Sequence, residues 1–420
     1  MNKQLNHEQL ALSAIKKKLL GKKLNYHEVF GLMDEISHRR LSDVLTTYFV
    51  AASFKEGFSD DELYYLTKSM VETGNKISFS GIVADKHSTG GVSGTRTTMI
   101  IVPIVAACGF KIPKLSSRAI TAAAGTADVM EVLAPVTLTL PKLKSVVEKT
   151  NGCVVWNGAM GLAPADDIII HLEEPLAFES FDKIIVSIMA KKVAVSTNHL
   201  ILDIPVGPTM KIRHFHDADK VARKFKKLGE RFNIHVETDV NETFEPAARG
   251  IGPMLEAKDV FNVLEQKRDR PLKLENKALR LAGRLLQMCY KDANINKDGE
   301  EEAKKVLFEG KALKKFIEII KEQGGQPDVS SSSLVMQSHK HEIESNYGGR
   351  IHKINNYNIN TLARILGSPH DMQAGIYLLK RLDEAVHKKE ALMIFYSSDK
   401  YRLKEAIDTL LNLPIYEIEK

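Results

Sequence analysis

Residues 85–98 read Asp-Lys-His-Ser-Thr-Gly-Gly-Val-Ser-Gly-Thr-Arg-Thr-Thr, and residues 100–107 that follow form an unbroken apolar run. Glycines at 90, 91 and 94 let backbone N–H groups approach an anion closely. A helix is expected from about Thr97, and its N-terminus favours negative charge. Such a segment fits a strand, a tight turn and a buried helix, and so points to an α/β domain. The Gly-Lys-Ser/Thr of a Walker loop is absent, as is the strict Gly-x-Gly-x-x-Gly of a dinucleotide site. With Lys86, Ser88, Arg96 and Thr98 on the turn, phosphate is the expected ligand. The plainer alternative is an ordinary strand-to-helix connection.

The surrounding chain agrees with an α/β fold. Short β-branched runs at 153–156, 200–204 and 234–237 alternate with helical patterns at 218–232 and 257–265, which implies a largely parallel sheet. Before residue 74 the pattern is helical. Leu10, Leu12, Ile15 and Leu19 share one face, and Asn25 with Glu28 and Ser59 with Glu62 have capping-box spacing. Residues 181–193 are again helical and can join the N-terminal helices, so one domain is expected from two chain segments. A serine-rich break at 326–333 precedes a small α+β terminal region. The expected organisation is a helical domain (1–73 and 164–197), a larger mixed α/β domain (75–163 and 198–328) and a C-terminal α+β domain (332–420).

At 420 residues and 44% hydrophobic content, the chain is large enough for two or three cores and too apolar for disorder. No apolar stretch is long enough for a membrane span, and the N-terminus lacks a secretory signal pattern. The three cysteines, Cys108, Cys153 and Cys289, form no CxxC pair. They point to packed thiols in a reducing, cytoplasmic setting, with no disulfide framework and no structural metal. The net charge of +6 suits an anionic substrate. The basic clusters (Lys16–Lys18, Lys22 with Lys23, and Lys224 with Lys226 and Lys227) lack aromatic interleaving. They are therefore expected to be solvated faces, and no nucleic-acid partner is expected.

Two more stretches carry chemistry. Residues 116–128, Ser-Ser-Arg-Ala-Ile-Thr-Ala-Ala-Ala-Gly-Thr-Ala-Asp, mix hydroxyls and a guanidinium with small residues that permit close backbone approach. A capped helix start is the alternative. Farther on, Ser187 and Lys191 stand four apart and share one helix face, where they can hold a polar heterocycle or a developing anion. The turn Pro-Val-Gly-Pro-Thr-Met-Lys at 205–211 directs Lys211.

Taken together, these segments resemble the thymidine phosphorylase and pyrimidine-nucleoside phosphorylase family, second type, the branch that includes archaeal AMP phosphorylases. The matching stretches are DKHSTGGVSGTRTT, IPKLSSRAITAAAGTADVMEVLAP, LAPADDIII, SIMAKKVA, DIPVGPT, RGIGPMLEAKDV and the terminal AGIYLLKRLDEAVHKKEAL. The resemblance implies a site in the cleft between the helical and α/β domains, and a homodimer formed through the helical domain or a larger assembly. By position it implies phosphate held by Lys86, Ser88, Thr98, Ser116 and Thr126. It also implies a nucleoside site lined by Gly91, Ser117, Arg118, Ala119, Ile120, Thr121 and Ala122. His87 would face the base, Glu179 would be the proton donor, Ser187 and Lys191 would contact the base, and Lys211 would contact the substrate. Four departures stand out. Ser93 replaces a frequent proline, and Glu179 replaces an aspartate. His171 and Glu174 replace arginines of the AMP-type members. Those members also carry a further N-terminal domain not found in these 420 residues.

The implied enzyme is a pentosyltransferase. Inorganic phosphate is the co-substrate, and no metal or organic cofactor is required. Without the two arginines, a pyrimidine nucleoside such as thymidine is expected ahead of a nucleoside monophosphate. A phosphoribosyltransferase, with Asp166 and Asp167 as its magnesium-binding candidates, is one alternative. A non-catalytic phosphate- or nucleic-acid-binding protein is another.

Overall fold

The computed structural model describes residues 6–119, 122–173 and 180–419. They fall into two units: one of residues 1–85, 157–200 and 219–237, the other of 86–156, 201–218 and 238–420. Among the described residues no helix is long and apolar enough to cross a membrane.

The first unit opens with helices α1 (His7–Leu19), α2 (Tyr26–Ser37), α3 (Asp43–Glu56) and α4 (Asp60–Glu72). The capping boxes at Asn25/Glu28 and Ser59/Glu62 form as expected, and Asn6 with Gln9 makes a third. The buried face of α1 is Ala11, Ala14, Ile15 and Lys18, rotated from the leucine stripe, and Leu19 is left 52% exposed. A Cβ at Gly31 would lie 2.7 Å from Leu10 Cβ, so α1 and α2 cross closely only because α2 carries glycine there. Lys18 departs from the solvated role expected of its cluster. Its ammonium donates to the Gly57 carbonyl at 2.6 Å, meets Glu62 at 3.1 Å and sits 4.3 Å over the Phe58 ring. Two buried groups of opposite sign satisfy each other, while the methylene stem packs with the core.

The second unit begins within β1 (Ala84–Ser88) and continues with α5 (Thr97–Ala107), β2 (Ile112–Ser116), α6 (Thr126–Glu131), α7 (Leu140–Thr150) and β3 (Gly152–Trp156). Helix α5 is apolar on all sides, and residues 97–106 are buried, as a helix inside a core must be. β2 and β3 pair in parallel from Ile112↔Gly152 to Ser116↔Trp156. The chain then returns to the first unit as α8 (Pro164–Glu173) and α9 (Phe181–Ala194), which pack with α2, α3 and α4.

Next come β4 (His199–Val206), α10 (Phe215–Arg231), β5 (His235–Glu242), β6 (Gly250–Ile251) and α11 (Pro253–Leu264). The long α12 (Leu272–Asp292) and the shorter α13 (Gly299–Phe308) and α14 (Lys311–Gln323) follow. β1, β4 and β5 form one sheet in the order β1–β4–β5, apart from the β2–β3 pair, so the expected single sheet is two small ones.

The terminal region holds β7 (His339–Glu344), β8 (Gly349–Ile354), α15 (Asn356–Leu366), β9 (Gly375–Leu378), β10 (Ala385–Val386), β11 (Ala391–Ser397), α16 (Lys400–Leu410) and β12 (Tyr416–Glu419). Its sheets, β6–β9–β11–β7 and β10–β8–β12, are antiparallel. β6 comes from before the serine-rich break, so this sheet and the α/β region share a strand. Ile354, Ile359, Leu362, Ile376 and Phe395 form the apolar core of this region, and Ala123 and Ile251 from the α/β region are buried in the same cluster.

Candidate active site

Four of the five expected phosphate ligands stand at the edges of the elements just described. Ser88 and Ser116 are the last residues of β1 and β2, while Thr98 and Thr126 lie in the first turns of α5 and α6. Strand C-termini and the loops that leave them are where α/β folds place ligands. Lys86 precedes this turn by two positions on β1, is 3% exposed and has its own carbonyl held by Lys114 Nζ at 2.8 Å. The turn after Ser88 is tied to β4 by Thr89 N–H, which donates to the Asp203 carbonyl at 3.0 Å, and Ser88 Oγ accepts from Gly90 N–H at 3.3 Å. Gly91 has φ +86, and a Cβ there would lie 2.9 Å from Lys211 Cγ. Only glycine lets the Lys211 stem lie on this turn.

The electrostatics of the turn are unbalanced. Asp203 Oδ1 accepts from Asn241 at 2.8 Å and meets Lys277 at 3.0 Å, while Lys86 faces the other carboxylate oxygen at 3.6 Å. Arg96 is tied to buried Glu256 and donates to Thr126 Oγ1 at 3.4 Å. Three cations (Lys86, Lys277 and Arg96) thus share two carboxylates. Burial, reinforced by Lys277 and Arg96, pulls the Lys86 ammonium down to about 8 despite Asp203. Burial also pushes the Glu256 carboxyl up, against Arg96. A buried group of net positive charge gains from an incoming anion.

Asp128 Oδ2 accepts the N–H groups of Ala119 and Gly125, each at 2.7 Å. The Arg118 guanidinium is bound to Glu131 through Nη2 at 2.7 Å, reaches Asp128 at 3.2 Å and stacks 5.0 Å over Trp156. Its charge is therefore committed to the two carboxylates of α6. Ser117 is exposed, Ala119 and Ala122 are half-buried, and Ile120 and Thr121 lie outside the described residues. His87 is half-buried on β1.

A second cluster belongs to the other unit. Asp166, fully buried on α8, accepts from Ser187 Oγ at 2.7 Å and from Lys191 Nζ at 2.6 Å, and Lys191 also reaches Ser187 Oγ at 3.0 Å. The four-residue spacing does bring serine and lysine together, and the carboxylate that orients both was not assigned that role from sequence. Burial pushes the neighbouring Asp167 carboxyl up to about 6 and pulls the Lys183 ammonium, one turn before Ser187, down to about 7. Asp166, expected as a magnesium candidate, instead carries a lysine. His171 is exposed at the end of α8, whereas Glu174 and the expected proton donor Glu179 lie outside the described residues.

Sequence reasoning passed over Asp203, Lys277 and Glu256. Asp203 had a usable signal, an aspartate inside the apolar run Leu-Ile-Leu-Asp-Ile, because buried charges are rare without a partner. Lys277 had none, as one more lysine on an amphipathic helix.

Residues 80–313 match the glycosyl transferase family a/b domain, 12–74 its helical bundle domain, and 350–416 the pyrimidine nucleoside phosphorylase C-terminal domain. A protein named AMP phosphorylase from Methanocaldococcus jannaschii is 42% identical over 397 residues, 94% of this chain and 78% of that one. AMP phosphorylase 1 of Archaeoglobus fulgidus is 39% identical over 399 residues, 95% of this chain and 78% of that protein. In fold, anthranilate phosphoribosyltransferase from Thermus thermophilus aligns with TM-score 0.62 at 16% identity, over 74% of this chain and 99% of that one. The Saccharomyces cerevisiae enzyme aligns with TM-score 0.58 at 14% identity, over 74% and 97%. A helical domain, a larger α/β domain and a small C-terminal domain, with the motifs in order, place the chain in the thymidine and pyrimidine-nucleoside phosphorylase family of glycosyl transferases, on the branch of the archaeal AMP phosphorylases.

Proposed function

We propose that the protein is a nucleoside monophosphate phosphorylase that takes AMP and inorganic phosphate to adenine and ribose 1,5-bisphosphate. The observation that carries phosphate binding is the under-compensated buried Lys86 beside the glycine turn. The choice of nucleotide over nucleoside is supported by relatives named AMP phosphorylase along 94–95% of the chain.

In the reaction a phosphate oxygen attacks C1′ while the glycosidic C–N bond breaks. The bonding electrons leave with the base, which is then protonated. The roles that the family resemblance implies for each residue fit this charge flow. Lys86, Ser88, Thr98, Ser116 and Thr126 hold the attacking phosphate. Lys191, oriented by Asp166, and Ser187 stabilise the charge that develops on the base. Gly91, the 117–122 segment and Lys211 take the sugar side, with His87 toward the base and Glu179 as proton donor. Positioning of phosphate and sugar contributes up to about 7–11 kcal/mol in ideal cases. Neither role calls for a metal or organic cofactor.

A pyrimidine nucleoside remains the second reading. It is favoured by the terminal domain match and by His171 and Glu174 in place of cations. The phosphoribosyltransferase alternative is disfavoured by the engagement of Asp166 with Lys191. Free base released from AMP, CMP, UMP, thymidine and uridine, with and without phosphate, decides among them. The expected result is strictly phosphate-dependent release, with kcat/KM for AMP at least about tenfold above thymidine, a gap of ~1.4 kcal/mol. Preference for thymidine or uridine would move the assignment to the nucleoside, and release that requires EDTA-sensitive metal and pyrophosphate chemistry would move it to transfer.

A further inference from the structure

The first turns of α15, in the terminal region, hold three loops to which the proposed function gives substrate contacts. Asn356 and Asn360 stand four apart on one helix face, and both donate to the Gly91 carbonyl, Asn360 at 3.5 Å. Asn360 Oδ1 accepts from Ser93 Oγ and, at 3.2 Å, from Ala123 N–H, which also reaches Ser93 Oγ at 3.3 Å, so Asn360 holds the Ala123 amide both directly and through the hydroxyl it orients. The Ala123 carbonyl accepts from Ser368 Oγ at 2.7 Å, just past the helix. Tyr357 Oη donates to the Met210 carbonyl at 2.8 Å, one residue before Lys211.

These bonds differ from ordinary packing in three respects. Asn356 and Asn360 are 1% and 7% exposed, so their amides are removed from water, and each lost partner leaves a buried polar group unsatisfied. Apart from the Ser93 hydroxyl, the bonds end on backbone atoms of Gly91, Ala123 and Met210, whose positions a side chain elsewhere cannot restore. Finally, Gly91 is pressed from one direction by the Lys211 stem and held by its carbonyl to the two asparagines, so Lys211 and α15 act on the same residue.

We propose that α15 is a positioning element for the organic substrate. Asn360 sets the Gly91 and Ala123 backbones, and Tyr357 sets the segment carrying Lys211. The inference rests on the phosphorylase reading for its kinetic consequence, whereas its structural part stands apart from that reading. None of these side chains is assigned contact with substrate; they act through the loops.

The test uses the full-length protein with Asn360→Ala, Asn360→Asp and Tyr357→Phe. Aspartate keeps the acceptor for Ser93 and Ala123 but cannot donate to Gly91. Phenylalanine removes one hydroxyl from a ring that is 41% exposed, so it leaves folding intact. The first measurement is hydrogen exchange. The Ala123 amide should exchange at least about tenfold faster in Asn360→Ala and near the wild-type rate in Asn360→Asp. The second is steady-state kinetics with the best substrate of the panel. KM for the organic substrate should rise about five-fold or more in Asn360→Ala and about three-fold in Tyr357→Phe, while KM for phosphate changes by less than about two-fold. The thermal midpoint of Tyr357→Phe should equal that of the wild type. Unchanged exchange at Ala123 overturns the proposal, and so does an equal rise in both KM values or no rise in either. If wild-type protein splits no substrate of the panel, the functional reading fails, and the exchange result still decides whether α15 positions the loops. Should Asn360→Ala not fold, the KM split in Tyr357→Phe carries the test, and no rise in its KM for the organic substrate overturns the proposal.

Discussion

If Lys86 is the phosphate cation, phosphate affinity must fall in mildly alkaline solution. The Lys86 ammonium is buried, shares Asp203 with Lys277 and feels Arg96, and its value is drawn down to about 8. The sign follows directly. A lysine with a lowered value loses its charge earlier as pH rises, so the free enzyme is charged at Lys86 below about 8 and neutral above it. Protonation falls from about nine-tenths at pH 7 to about one-tenth at pH 9, so phosphate KM should rise roughly tenfold over that interval. Phosphate also loses protons as pH rises, and a Lys86→Arg variant controls for this because a guanidinium stays charged throughout. The assay is steady-state kinetics at saturating organic substrate, with phosphate varied at each pH. Calorimetry in two buffers of different ionisation enthalpy adds an independent reading, because phosphate should draw a proton onto the enzyme near pH 8. A phosphate KM unchanged between pH 7 and 9 would refute the reasoning, as would a Lys86→Arg profile parallel to wild type.

Other consequences can be checked on the same material. Asp166→Ala leaves the buried Lys191 ammonium with Ser187 as its hydrogen-bond partner and only the Asp167 carboxyl, itself pushed up by burial, as a nearby counter-charge. It should cost about 3–5 kcal/mol in urea unfolding and lower kcat more than about tenfold. A loss of stability below ~1 kcal/mol would mean that Asp167 suffices as the counter-charge of Lys191 and that Asp166 does not orient it. Lys191→Ala should reduce kcat similarly while leaving phosphate KM near the wild-type value. Gly91→Ala places a Cβ at φ +86, 2.9 Å from Lys211 Cγ. It should destabilise by about 1–2 kcal/mol and raise KM for the organic substrate, and neutral behaviour in both thermal unfolding and kinetics would show that Lys211 does not lie there.

What could be learned from the chain alone was local. Capping pairs, the glycine turn followed by an apolar helix and the four-residue spacing of Ser187 and Lys191 all depend on neighbours within one or two turns, where backbone geometry is nearly set by residue type. Those patterns, taken in order, sufficed for the fold class and the family. The rest is made by partners far apart in the chain. Asp166 sits 25 positions from Lys191, and Asn360 sits 269 from Gly91. Nothing in the periodicity around Asn360 or Lys277 separates an oriented polar group from a solvated one. Lys18 shows the same in reverse, a lysine in a basic run whose ammonium is buried against Glu62. Whether a polar side chain faces water or a buried opposite is decided by packing. Tertiary structure alone therefore determined which cations share a carboxylate.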